Sequence, residues 1–214
     1  MYAIVSRTNA DYSAATRAKL IRVATRLFGR YGFAAVSSER IVKAAGLTRG
    51  ALYHHFDGKE GLFGAVLEEQ MRELHRRLAA TGRGARSPLS GLRKGIRAYL
   101  EACASPAFRQ IVLLDGPTVV GWERWRALDL TLGLGLLKQG LEAAVAGGEL
   151  TRQPTDVLAH LVAGALIDGA MVVARDRRKA RRVEWALWSL LLHGLAPRGG
   201  RKTATRRARP ARTR

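Results

Sequence analysis

The chain has 214 residues and carries a formal net charge of +20, from 37 Lys and Arg against 17 Asp and Glu. A hydrophobic share of 47% excludes global disorder, and the single cysteine, Cys103, excludes a disulfide framework and any zinc site built from cysteines. The first seven residues hold no apolar core of a leader peptide, and the longest apolar stretch, Val157–Ala174, is interrupted by His160 and Asp168. That stretch is expected to be a buried helix rather than a membrane span. A soluble, cytoplasmic chain drawn to polyanions is the expectation.

The charge is unevenly placed. Residues 198–214 hold eight Lys and Arg and no acid, while residues 14–66 hold nine basic and three acidic residues. The 198–214 tail has no apolar period and is expected to be disordered. The N-terminal arm, 1–13, is expected to be flexible. Between them the periodicity is helical throughout, and no segment alternates as a strand does, so the expected fold class is all-α.

Leu20, Ile21, Ala24, Leu27, Phe28 and Tyr31 make one apolar stripe on a helix over about 14–31, which Gly32 ends. Ser37 or Ser38 can cap the next helix, which runs to Ala45. Gly46 breaks it, and Thr48 caps a third short helix from Arg49 to about His55. Asp57-Gly58 marks a turn, and a long helix follows from about Lys59 with Leu62, Phe63, Val66, Leu67, Met71, Leu74 and Leu78 at helical spacing. Residues 81–87 read as a loop. Five further helices are expected over about 88–104, 106–116, 121–147, 154–175 and 182–195, with Pro106, Pro117 and Pro154 near helix starts. The residues Arg175–Arg182, six basic and one acidic, read as a loop.

Three short helices with a glycine-containing turn between the second and third form a helix-turn-helix pattern. Gly46 supplies the positive φ of a tight turn, and Leu47 plugs the space between the helices. Thr48 caps the third helix and leaves its first amides free for a phosphate. The exposed side chains are then Arg49, Gly50, Ala51, Tyr53 and His54. An arginine fork can read guanine in the major groove, and the small Gly50 and Ala51 let the backbone approach the bases. Tyr53, His54 and Lys59 can donate to phosphates. Each has a plainer alternative: Phe56 and Tyr53 can be core aromatics, and Lys59 can simply be solvated. His54 and His55 point about 100° apart on a helix, which argues against a shared metal ion.

The run Thr48-Arg49-Gly50-Ala51-Leu52-Tyr53-His54-His55-Phe56-Asp57-Gly58-Lys59-Glu60-Gly61-Leu62-Phe63 resembles the recognition helix and following segment of the tetracycline-repressor (TetR/AcrR) family of bacterial regulators. Ala24-Thr25-Arg26-Leu27-Phe28-Gly29-Arg30-Tyr31-Gly32-Phe33 resembles the end of that family's first helix. The resemblance implies an all-α homodimer with an N-terminal helix-turn-helix over 14–60 and a helical ligand-binding and dimerisation domain over 61–197. It places Ser38, Thr48, Tyr53, His54 and Lys59 on DNA-backbone positions and Arg49, Gly50 and Ala51 on base-facing ones. Gly58 and Gly61 depart from the more helix-favouring residues usual there, which is expected to soften the start of the fourth helix.

For the second half, Tyr99, Cys103, Phe108, Trp122 and Trp125 are the candidates for lining a small-molecule effector pocket, against the alternative of an ordinary core. Gly121, Gly133, Gly135 and Gly140 weaken the helix over 121–147. The last two helices carry apolar stripes with small residues, Leu158, Leu161, Val162, Ala165, Gly169 and Val172 on one and Leu187, Leu190 and Leu191 on the other. Paired across a two-fold axis they would form a four-helix bundle. The expected function is a ligand-responsive DNA-binding regulator, a dimeric repressor on a palindromic operator, with no cofactor and no metal. The alternative is an architectural DNA-coating protein driven by the basic tail. An enzyme is disfavoured, since the chain holds no Walker loop, no G-x-S-x-G and no H-E-x-x-H.

Overall fold

The computed structural model describes the backbone of residues 9–195 and the side chains of residues 10–191. The basic tail and the first eight residues lie outside the described residues. Nine helices and no strand make up that region: α1 (Asn9–Tyr31), α2 (Ser38–Ala45), α3 (Arg49–His55), α4 (Gly58–Thr81), α5 (Pro88–Cys103), α6 (106–120), α7 (122–146), α8 (Thr155–Arg175) and α9 (Ala180–Leu195). The first helix begins five residues earlier than expected and takes in residues 9–13. Asp11 lies in its first turn, where it complements the helix dipole, and Ala14 and Ala15 favour the helix.

The helix-turn-helix forms as its local signals dictate. Ser37, not Ser38, caps α2 by accepting from the Arg40 amide. Gly46 turns left-handed at φ +60°, and its amide and that of Leu47 return to carbonyls of α2. Thr48 Oγ1 accepts from the Ala51 amide at 3.2 Å and caps α3. Leu47 is half-buried against the core, the plug its position predicts. Tyr31 is the exception to the α1 stripe. It is exposed, with the Arg40 guanidinium 4.0 Å over its ring. The α4 start holds despite its glycines: Gly58 enters the helix at φ +71° and the helix continues unbroken to Thr81.

One apolar cluster joins both halves of the chain. It unites Leu20, Phe28, Ile41 and Leu52 with Ile111 and Trp125 and with the C-terminal part of α8 at Ile167, Ala170 and Ala174. A second cluster lies beyond it, where Leu92, Ile96 and Leu100 of α5 meet Leu137 and Leu141 of α7, Val162 of α8 and Leu191 of α9. Buried Glu184 ties α9 to α5, receiving Arg97 Nη2 at 2.9 Å and Nε at 3.1 Å. Arg97, with Arg93 Nε 3.6 Å away, holds the Glu184 carboxyl below the usual carboxylate range.

Helices α6 and α7 each contain a wide, π-type segment, Arg109–Asp115 and Leu130–Leu134. The second includes Gly133, one of the glycines that weaken this helix. His75 on α4 hydrogen-bonds through Nδ1 to the Leu132 carbonyl in that segment. The basic corner between α8 and α9 contains a short 3₁₀ turn, Arg177–Lys179, where a loop is expected.

Candidate nucleic-acid interface and ligand cavity

Helix α3 presents its reading face to solvent. Arg49, Gly50, Tyr53 and His54 are exposed, Ala51 is half-buried, and Leu52 is the anchor that faces the core. Arg49 is lightly held. Its Nη1 lies 3.5 Å from Glu39 Oε1 of α2, its Nη2 lies 3.5 Å from the Tyr53 hydroxyl, and its guanidinium sits 5.5 Å from the Tyr53 ring centroid. These are exposed contacts that DNA can replace at small cost. At Gly50 an added Cβ would meet only Thr48 Oγ1 at 3.9 Å, so this part of the helix surface is open. His54 and His55 rings touch edge to face at 5.0 Å. Burial, with His54 and Arg17 nearby, lowers the His55 pKa. Among the described residues no group of three or more possible ligands could hold a metal ion. Ser38 opens α2 half-buried.

Lys59 is not freely solvated. Its ammonium donates to the Phe33 carbonyl at 3.2 Å and lies 4.0 Å from the Phe33 ring centroid. The Phe33 amide in turn donates to Asp115 Oδ2 of α6 at 2.8 Å, and Gln110 donates to Asp115 Oδ1. The chain leaving α1 is thus clamped between α4 and α6. The contact is tight enough to require glycine, since a Cβ on Gly29 would lie 2.7 Å from the Ala107 Cβ. The aromatic trio Phe28, Phe33 and Phe63 packs beneath the clamp.

The second half encloses a cavity of about 590 Å³. Its walls are aliphatic, from Leu92 and Ile96 of α5, Leu134 and Leu137 of α7, and Leu166 of α8. The 82–87 loop frames its mouth. A smaller space of about 40 Å³ adjoins it and shares Leu78, Tyr99, Asp129 and Gly133.

Of the five residues expected to line a pocket, Tyr99 lines both spaces, and Phe108 and Trp125 line only the smaller one. Cys103 and Trp122 line neither. Cys103 is fully buried in the core beside Tyr99, and Trp122 is 58% exposed. Trp125 is a core aromatic whose indole N–H donates to the Val112 carbonyl at 2.7 Å. The aliphatic lining and the loop carry no local signal, because leucines and isoleucines at helical spacing read as ordinary core. Gly82, Gly91 and Gly95 line the cavity, and their clustering is a readable sign of open space there.

Burial pushes the Cys103 thiol up to about 12. A thiol so held is almost wholly protonated at neutral pH and is a poor nucleophile. Iodoacetamide at pH 8 is therefore expected to leave the folded protein unlabelled and to label Cys103 in urea. Equal labelling in both states, read by mass spectrometry, would contradict its burial.

The interface candidates divide. Leu161 is 67% and Leu190 68% exposed, and Val172 is exposed as well. Leu158, Ala165 and Leu187 are half-buried. Val162, Gly169 and Leu191 are core residues of the single chain, so they cannot form a surface. Gly169 packs so closely that a Cβ would lie 2.7 Å from Val183 Cγ1. Two residues not foreseen, Val157 and Trp185, join the exposed set, with Trp185 at 71%. His160 and Asp168 are exposed and neither lines the cavity. Helix α8 is long and apolar enough to cross a membrane by length and composition. Ala159, Val162, Ile167, Ala170 and Val173 bury one side of it in the core.

An exposed, capped reading helix carried by a tight turn, joined through a single long helix to a helical domain with an apolar cavity, defines a helix-turn-helix transcriptional regulator. The family description "Bacterial regulatory proteins, tetR family" matches residues 20–66, and "Tetracyclin repressor-like, C-terminal domain" matches residues 89–195. The HTH-type transcriptional regulator AcrR of Shigella flexneri is 37% identical over 101 residues, 46% of each chain. The chain thus spans less than half the length of this curated relative. SrpR of Pseudomonas putida, another HTH-type transcriptional regulator, is 26% identical over 200 residues, 87% of this chain and 90% of that one. The crystal structure of a TetR-family transcriptional regulator from Pectobacterium atrosepticum superposes with a TM-score of 0.79 at 32% identity, covering 90% of this chain and 99% of that one. The chain belongs to the TetR family.

Proposed function

We propose that this protein is a dimeric transcriptional repressor that binds a palindromic DNA operator through α3 and leaves it when a small apolar effector enters the α5–α8 cavity. The observation that carries the reading is the clamp at Phe33. It links the helix-turn-helix to α6, and α6 also supplies Phe108, Val112 and Leu113 to the smaller space beside the cavity. A ligand that moves α6 therefore moves the end of α1, and with it the spacing of two reading helices. Those helices must sit about 34–36 Å apart to enter successive major grooves. A differential affinity of roughly 1–3 kcal/mol between two spacings changes DNA affinity about 5- to 150-fold.

Arg49, with Gly50 and Ala51, is assigned to base edges. Ser38, Thr48, Tyr53, His54 and Lys59 are assigned to phosphates. An ammonium has three donors, so Lys59 keeps two beyond its bond to Phe33. The exposed apolar face of α8 and α9 is assigned to the dimer, which also accounts for the part of α8 not buried in the core. The protein acts in the cytoplasm and catalyses no reaction. Domain limits of 14–60 and 61–197 follow the same reading, with α4 crossing between them.

Selection from a random duplex pool tests it. Enrichment of an inverted repeat with half-site centres about one helical turn apart supports the reading. Recovery of unenriched DNA with steep salt dependence favours the architectural alternative.

A further inference from the structure

We infer that the cavity takes an elongated apolar molecule ending in a neutral hydrogen-bond donor, an alcohol or phenol, which it presents to Asp129, and that it disfavours carboxylates. The inference rests on the reading of this cavity as the effector site and specifies the chemistry of that ligand.

The polar groups of the cavity are few and are sorted by position. Thr81 also lines the cavity, its hydroxyl already donating to the Leu78 carbonyl at 2.7 Å, and the mouth holds Arg86, Ser87 and Gln139, of which Arg86 and Gln139 are exposed. Ser87 is already used, donating to Glu149 Oε2 at 2.6 Å. The inner end, where the large and small spaces meet, holds Asp129 and Tyr99. Between the two ends the wall is aliphatic. A ligand body there gains burial of apolar surface and nothing else.

The inner end offers acceptors. Asp129 Oδ2 takes Arg126 Nη1 at 2.8 Å, its only ion-pair partner among the described residues. The other carboxylate oxygen has lone pairs to offer. The Tyr99 hydroxyl lies beside the Cys103 thiol, and the His75 ring is engaged with the Leu132 carbonyl, so the His75 donor is occupied. Burial raises the Asp129 pKa in spite of Arg126 beside it. The carboxylate is therefore short of solvation, and a further donor stabilises it. A ligand carboxylate at the same place adds like charge in a low-dielectric site, which is costly. A full cation meets Arg126 behind Asp129, which leaves a neutral O–H as the best fit. Arg86 does not rescue a carboxylate at the mouth, because it is water-exposed there and its attraction is screened.

Isothermal titration calorimetry of the full chain with decanol, decyl methyl ether and decanoate tests the assignment. The three share an apolar body and differ in donor, acceptor and charge. The expected result is that decanol binds at least tenfold more tightly than decanoate and at least fivefold more tightly than the ether, which cannot donate. In Asp129→Leu the preference over the ether is expected to vanish and decanoate to gain on decanol, since Arg126 is left unpaired. Decanoate or the ether binding wild type as tightly as decanol overturns the inference while leaving the cavity a ligand site. Binding of none of the three overturns the effector-site reading and the inference with it. The wild-type comparison decides even if the variant fails to fold.

Discussion

Replacing Leu161 and Leu190 with Asp is expected to give a folded monomer at micromolar concentration and to lower operator affinity at least a hundredfold. Both side chains stand in solvent in the single chain, on helices whose opposite faces carry the core. Val157, Leu161 and Val172 recur near one turn and three turns of α8, and Trp185 and Leu190 project from α9. Exposed apolar side chains gathered on two neighbouring helices, with the exposed Asp168 among those of α8, mark an interaction surface. A carboxylate carried into such an interface must lose its water without a partner, at a cost of several kcal/mol per ion. Joining two weak half-site contacts raises affinity by about 10²–10⁴, and that factor is lost with the dimer. Sedimentation velocity reads the association, and far-UV circular dichroism confirms the fold. An intact dimer would move the interface elsewhere. A charge placed at Gly169 would not read the dimer. Gly169 is buried against Val183 within one chain, so a side chain there disrupts the core and confounds dissociation with unfolding.

The parts of this fold that could be read from the sequence are those with local causes. A serine, a left-handed glycine and a threonine at 37, 46 and 48 each satisfy or bend backbone within a few residues, and each acts in the structure as its chemistry predicts. The TetR resemblance rested on the neighbouring runs 24–33 and 48–63, and the family is shown by matches over 20–66 and 89–195. The parts that could not be read are set by packing at a distance. The π-type segment at Leu130–Leu134 exists where His75, 57 positions earlier, holds the Leu132 carbonyl. No periodicity in α7 encodes that partner. Helix α8 is apolar nearly all round, so its pattern could not tell the core-facing Val162 and Gly169 from the outward Leu161 and Val172. Aromatic side chains suit the wall of a small-molecule pocket, and nothing local in the sequence tells a wall from a core. Trp125 is instead the largest fully buried side chain, and the space is left where leucines meet glycines.

Two substitutions on α3 separate base reading from phosphate holding. Arg49→Ala is expected to weaken the selected operator by about 1–3 kcal/mol, to flatten preference at one base pair of each half-site, and to change binding to random duplex little. The free state supports this. The guanidinium spends its contacts on Glu39 and Tyr53 at 3.5 Å, both exposed, so its removal leaves no buried group unpaired and costs the fold almost nothing. Tyr53→Ala removes a half-exposed ring and hydroxyl whose contacts with Arg49 DNA replaces at small cost, and it is expected to weaken operator and random duplex by the same factor. Tyr53→Phe divides that effect between hydroxyl and ring, because the ring alone retains the stacking on Arg49. Fluorescence anisotropy at two salt concentrations reads all three variants. Equal losses on both duplexes for Arg49→Ala would take Arg49 off the base edges. Selectivity would then fall to Gly50 and Ala51, which can only admit the backbone or touch a thymine methyl.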